Sequence, residues 1–82
     1  MVEVRFDKNF KTTFSKLKDR QTRQRVIKQV SKISENPRVG KPMRKVRKGT
    51  RELHVKPFRL SYHYDESKGV VWILDLYHKK AQ

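Results

Sequence analysis

Hydrophobic and polar residues alternate one for one in two parts of this chain and recur every three to four residues in two others. Val2, Val4 and Phe6 alternate with Glu3 and Arg5, which predicts a first strand with one buried face. Asp7 then offers a helix N-cap, and Phe10, Phe14 and Leu17 follow at i, i+4 and i+7 on one helical stripe. The pattern restarts at Asp19–Thr22, either of which can cap a second helix whose stripe is Val26, Ile27, Val30 and Ile33; Asn36-Pro37 ends it. So short a connection predicts a helical hairpin packed through its apolar stripes on a sheet.

The stretch Arg51–Tyr64 (RELHVKPFRLSYHY) holds two alternating runs joined at Lys56-Pro57. Matching apolar to apolar in an antiparallel hairpin pairs Val55 with Phe58 and Leu53 with Leu60. His54 then falls opposite Arg59, and Glu52 opposite Ser61. One face is core, and the other brings a cation, an imidazole and a carboxylate together. Beyond a turn at Asp65–Gly69, Val70–Tyr77 is the most apolar run and is expected to be the central strand. Keeping its faces matched pairs Tyr64 with Val70, Tyr62 with Trp72, Leu60 with Leu74 and Arg59 with Asp75, with Tyr62 and Trp72 on the core side. The expected fold is a single α+β domain over residues 1–82, in the order β-α-α-β-β-β, with the helices on one face of an antiparallel sheet.

Charge changes the picture. Twenty-two Lys and Arg against eight Asp and Glu leave a net charge of +14 in 82 residues, a self-repulsion that implies a polyanionic partner such as nucleic acid. More than half of that excess lies between Arg38 and Arg59, where Glu52 is the one acid. Pro37–Gly49, with two Pro, two Gly and six basic residues, is expected to be a loop that orders on a phosphate backbone. Lys41, Arg44, Lys45, Arg47, Lys48, Arg51, Lys56 and Lys79 are the RNA-binding candidates, with Tyr77 as a base-stacking surface. No basic amphipathic helix suits a membrane surface, and neither a membrane span nor a signal peptide is apparent, so a cytoplasmic location is expected.

There is no cysteine, and His54, His63 and His78 fit no common metal spacing, so chemistry without a metal or a small-molecule cofactor is expected. RNA carries its own nucleophile in the 2′-hydroxyl. Its cleavage needs a base for that proton, a cation on the crowded phosphate and an acid for the leaving oxygen. Arg59, with its planar fork, is the candidate cation, and its structural alternative is a pair with Asp75. His54 and His78 are the acid–base candidates, and Glu52 is either a base or a partner for neighbouring cations.

The element order, the NPR before the basic loop, the REL run, FRLSY and the terminal YHKKAQ together resemble toxins of the RelE/ParE superfamily, nearest the RelE side. The resemblance implies a ribosome-dependent messenger-RNA endonuclease that acts through 2′-hydroxyl attack and inhibits translation, held inactive by a small acidic antitoxin. By position it implies phosphate-directed roles for Arg59 and Lys80 and an acid–base role for His78. Glu52 and His54 stand where many members have lysines, and Met43 stands where one branch has a carboxylate. Two other functions fit the same features: a ParE-like toxin that inhibits DNA gyrase by protein contact, and a small basic RNA-binding protein without toxicity.

Overall fold

The computed structural model describes residues 2–45 and 47–78. Strand β1 (Glu3–Phe6) leads into helix α1 (Lys8–Lys16), where the Asp7 carboxylate accepts from the Asn9 N–H at 3.1 Å and so caps the first turn. Helix α2 (Arg20–Glu35) is capped by Asp19 rather than Thr22. Its carboxylate accepts from the Gln21 N–H and from the Thr22 hydroxyl, so the two cap candidates bond to each other. The chain continues through β2 (Lys41–Pro42), β3 (Arg51–Val55), β4 (Phe58–Asp65) and β5 (Val70–His78). The Lys56–Pro57 peptide between β3 and β4 is cis.

The strands lie in the order β1-β5-β4-β3-β2. The sheet is antiparallel from β2 to β5, as expected, and β1 pairs in parallel with β5, making it mixed. Such a parallel neighbour needs a long crossover, and the two helices supply it. Strand β4, not β5, is the middle of the five. The expected loop contains the short edge strand β2, where Lys41 pairs with Glu52 and Pro42 with Arg51.

One sheet face packs under the helices. Leu60, Tyr62, Val71, Ile73 and Leu76 are sealed there beneath Phe10, Val26 and Ile33. Three of the four expected residues of the second helical stripe turn inward. Ile27 instead stands 58% exposed beside the aromatic row Phe6, Phe10, Phe14, whose rings stack at 5.4 and 5.6 Å.

The β3–β4 register matches the expected pairs, with Val55 opposite Phe58, Leu53 opposite Leu60, His54 opposite Arg59 and Glu52 opposite Ser61. The β4–β5 register does not. Asp65 pairs with Val70 and Tyr64 with Val71, and beyond an irregularity at Ser61/Tyr62 that leaves Leu74 unmatched, Leu60 pairs with Leu76 and Arg59 with Tyr77. Trp72 therefore lies opposite His63 on the open face, 37% exposed, and not in the core with Tyr62. Val70–Leu74 is apolar at every position, so it carries little alternation from which to take a register.

Candidate active site

On the open face, Arg59 reaches across the ladder to Glu52, with Nη1 donating to Oε1 at 3.1 Å. The Glu52 side chain is 3% exposed and that of Arg59 21%, so this pair has given up much of its hydration and depends on its geometry. Arg59 is thus partnered by Glu52 and not by Asp75, which stands opposite Ser61 and accepts from the Leu76 N–H beside the bulge. Glu52 Oε2, Arg59 Nε and Ser61 Oγ are buried without a hydrogen-bond partner among the described residues. An acceptor, a guanidinium donor and a hydroxyl at neighbouring ladder positions form a set that a group able both to donate and to accept would satisfy.

Arg59 also forms one wall of a cleft of about 580 Å³ whose other walls are Lys41, Pro42, Met43 and Arg44. The chain holds that wall in place through a tyrosine of the core. Tyr62, fully buried, donates its hydroxyl to the Pro37 carbonyl at 2.7 Å and accepts from the Gly40 N–H at 2.8 Å. Burial pushes its pKa above the ordinary value, opposed by the Gly40 bond and the nearby Arg51 charge. Gly40 is required by this close approach, because a Cβ there would stand 2.6 Å from the Tyr62 oxygen. Arg51 adds a strap, donating Nη1 to the carbonyls of Arg38 and Gly40 at 3.0 and 2.8 Å. It shares a face with Tyr62 and so lies away from the cleft.

The far end of the loop is tied as well. His63 Nδ1 lies 2.9 Å from the Gly49 carbonyl oxygen, and the Thr50 N–H and hydroxyl both donate to the Arg47 carbonyl. Arg47 has a φ of 65°, uncommon for a residue with a side chain, and its guanidinium lies 4.2 Å from the centroid of the Tyr77 ring. Tyr77, opposite Arg59, is therefore buried beneath an arginine rather than presented for base stacking.

The other expected residues divide by face. His54 is exposed opposite Arg59. His78 pairs with Phe58 and packs its ring against that ring at 5.1 Å, which puts it on the helix side of the sheet, across from Arg59. Lys45 and Lys48 are exposed on the loop and Lys56 on the β3–β4 turn. Lys79 and Lys80 lie outside the described residues. Tyr62 and Ser61 were not candidates from sequence. The one signal for Tyr62 was the NPRVG segment, a tight path that must be pinned to something.

Residues 4–82 match the family model described as "ParE toxin of type II toxin-antitoxin system, parDE". The chain belongs to this toxin family. Among solved structures it is similar to the toxin–antitoxin complex RelBE2 of Mycobacterium tuberculosis, with 30% identity over 95% of this chain and 98% of that one and a TM-score of 0.81. The Escherichia coli RelBE complex (19% identity, 95% and 96% covered, TM-score 0.80) and a YoeB/ParE toxin from Agrobacterium tumefaciens (10%, 93% and 96%, TM-score 0.81) share the fold. No curated protein matches it. Among the described residues no helix is long and apolar enough to cross a membrane.

Proposed function

We propose that this toxin is a metal-independent endoribonuclease that cuts ribosome-bound messenger RNA and so stops translation. The observation that carries the reading is the Glu52–Arg59 pair at the wall of a basic cleft. It sets a carboxylate beside a phosphate-binding guanidinium, with Lys41 and Arg44 to neutralise the flanking backbone. In this mechanism Arg59 binds the scissile phosphate and stabilises the charge that builds as the 2′-oxygen attacks, while Glu52 holds the guanidinium in orientation and accepts the 2′-hydroxyl proton when the phosphate draws Arg59 forward. His54 is the nearest imidazole for the leaving oxygen. His78, across the sheet, takes no part in this scheme.

The toxin's partner is an acidic antitoxin. Phe6, Phe10, Phe14, Ile27 and Val30 line an apolar groove of about 350 Å³ on the helix side, which suits the apolar stripe of an antitoxin helix, and the +14 charge attracts the rest of an acidic segment. The second reading, inhibition of DNA gyrase by protein contact, is favoured by the family match itself. Purified toxin added to a translating extract and to a gyrase supercoiling assay separates the two. The ribonuclease reading expects truncated messages and no effect on supercoiling. Blocked supercoiling with intact messages would overturn it.

A further inference from the structure

Glu52 on β3, Ser61 on β4 and Asp75 on β5 form one row across the open face, each opposite the next. Asp75 has a donor, since its carboxylate accepts from the Leu76 N–H at 2.8 Å. Glu52 is only half provided for. Arg59 holds its Oε1, while Oε2 has no hydrogen-bond partner among the described residues, and neither has the hydroxyl of Ser61 opposite it. Ser61 is 1% exposed, and a strand position so deep is ordinarily apolar, because a hydroxyl buried without a partner loses its hydration with nothing in return. The register shift of β4 against β5 begins at this residue, and irregularities of that kind re-aim a side chain.

The proposed mechanism takes the one donor from Glu52 at the moment it acts, because phosphate draws Arg59 forward and away from Oε1. A desolvated carboxylate with no donor is neutralised by a proton, and a neutral acid accepts none. We infer that Ser61 is a positioning residue for Glu52: its hydroxyl turns to donate to Oε2 as Arg59 leaves, and so holds the carboxylate in place with Oε1 toward the 2′-hydroxyl. Opposite residues of a ladder have Cβ atoms about 4.5 to 5.5 Å apart, which a glutamate stem and a rotating serine hydroxyl span. Ser61 keeps its own proton throughout, and the proton that moves goes from the 2′-oxygen to Glu52. Lys41 is the competing donor, since it pairs with Glu52 from the other flank. It is exposed on the wall of the cleft, where phosphate claims it, and among the described residues it makes no ion pair with Glu52. The inference rests on the nuclease reading, to which it adds the residue that keeps the base in place.

Two measurements on the full chain test it. The first compares the melting temperatures of the parent, S61A, R59M and S61A/R59M without substrate. R59M takes the donor from Glu52 while filling the space of the arginine stem, so its loss should be larger in the S61A background than in the parent. S61A alone, whose hydroxyl has no partner to lose, should melt close to the parent. The second follows cleavage of ribosome-bound message. S61A should lower kcat by about 10- to 100-fold, the scale of one hydrogen bond to a charged group, with KM little changed, and S61T, which keeps the hydroxyl, should restore it. Additive melting temperatures would overturn the inference. So would an unchanged kcat in a toxin that cuts, a folded S61T as slow as S61A, or the same excess loss in K41Q/R59M in place of S61A/R59M. Because the first measurement involves no cleavage, a toxin that cuts nothing yet shows the excess loss would refute the nuclease reading and leave Ser61 standing as the second donor to Glu52.

Discussion

The candidate active-site cleft and the apolar groove lie on opposite sides of one sheet and are built from opposite materials. The cleft of Lys41, Arg44 and Arg59 is a charged wall held in place by one buried tyrosine and a few backbone bonds. The groove of Phe6, Phe10, Phe14 and Ile27 is a continuation of the core that the fold leaves uncovered. Charge in water is screened within about 8 to 10 Å at ordinary salt, whereas removing apolar surface from water is insensitive to it. If, as proposed, its target and its antitoxin both carry negative charge, the toxin can tell them apart on the side where charge matters least.

The largest effect expected from breaking this division is at the Glu52–Arg59 pair. E52Q/R59Q removes both charges and leaves a neutral amide at each position, so no lone buried charge remains and the fold should survive, while on the proposed nuclease reading cleavage falls by about 100-fold or more, the scale of losing an electrostatic stabiliser of the transition state. The single R59A strands a buried carboxylate and should cost about 3 to 5 kcal/mol of stability besides. Melting curves and cleavage assays on both variants separate the two effects, and an active double variant would remove Arg59 from the chemistry. Next comes I27E. Ile27 is too exposed for the change to disturb the core, yet a carboxylate desolvated in the groove should weaken the antitoxin complex by at least about tenfold, or roughly 1.4 kcal/mol. Copurification at about 0.5 M salt reads this, since screening leaves the apolar anchorage to hold the pair together.

Smaller in its reach is Y62F, which removes a donor from Pro37 and an acceptor from Gly40. Two buried backbone groups left unpaired should cost roughly 1 to 3 kcal/mol, seen as a lower melting temperature. The raised pKa of Tyr62 adds a pH signature. Its contribution is whole below the ordinary value of 10.0 and is lost as pH rises through the higher folded value, so parent and variant should converge in strong alkali. The smallest effect is at the exposed cap of α2. The Thr22 hydroxyl, and after it the Gln21 N–H, hold Asp19 below its ordinary pKa. D19A should therefore lower the melting temperature slightly at neutral pH, and the difference should fade as pH falls below 3.8 through the folded value.

The same contrast shows what could be taken from the residues alone. The β3–β4 pairing was legible because both runs alternate strictly and only one register matches apolar to apolar. The β5 register was not, since Val70–Leu74 is apolar at every position and a bulge at Leu74 moves all that follows. Taking Val70 opposite Tyr64 instead of Asp65 placed Trp72 in the core, and that slip together with the missed bulge placed Arg59 against Asp75 rather than Tyr77. Proximity of Glu52 to Arg59 followed from the hairpin, but the burial of Glu52 on a face expected to be open did not, because it depends on how the rest of the chain folds over that face. His78 went to the wrong side of the sheet for a similar reason, since its position was taken from its place in the closing motif rather than from the pleat.

The hydroxyl of Tyr62 gives the toxin a division between what can vary and what cannot. The loop is moored to the core at Gly40 and tied again at Gly49, while the side chains of Met43, Arg44, Lys45 and Lys48 between the moorings make no hydrogen bond or ion pair among the described residues. Those four positions can therefore be exchanged without a toll on folding, provided Gly40 and Tyr62 stay matched. A library randomised at 43, 44, 45 and 48 should yield mostly folded proteins, with different cutting preferences on the proposed nuclease reading, whereas one randomised at Gly40 should yield almost none that hold the loop in place.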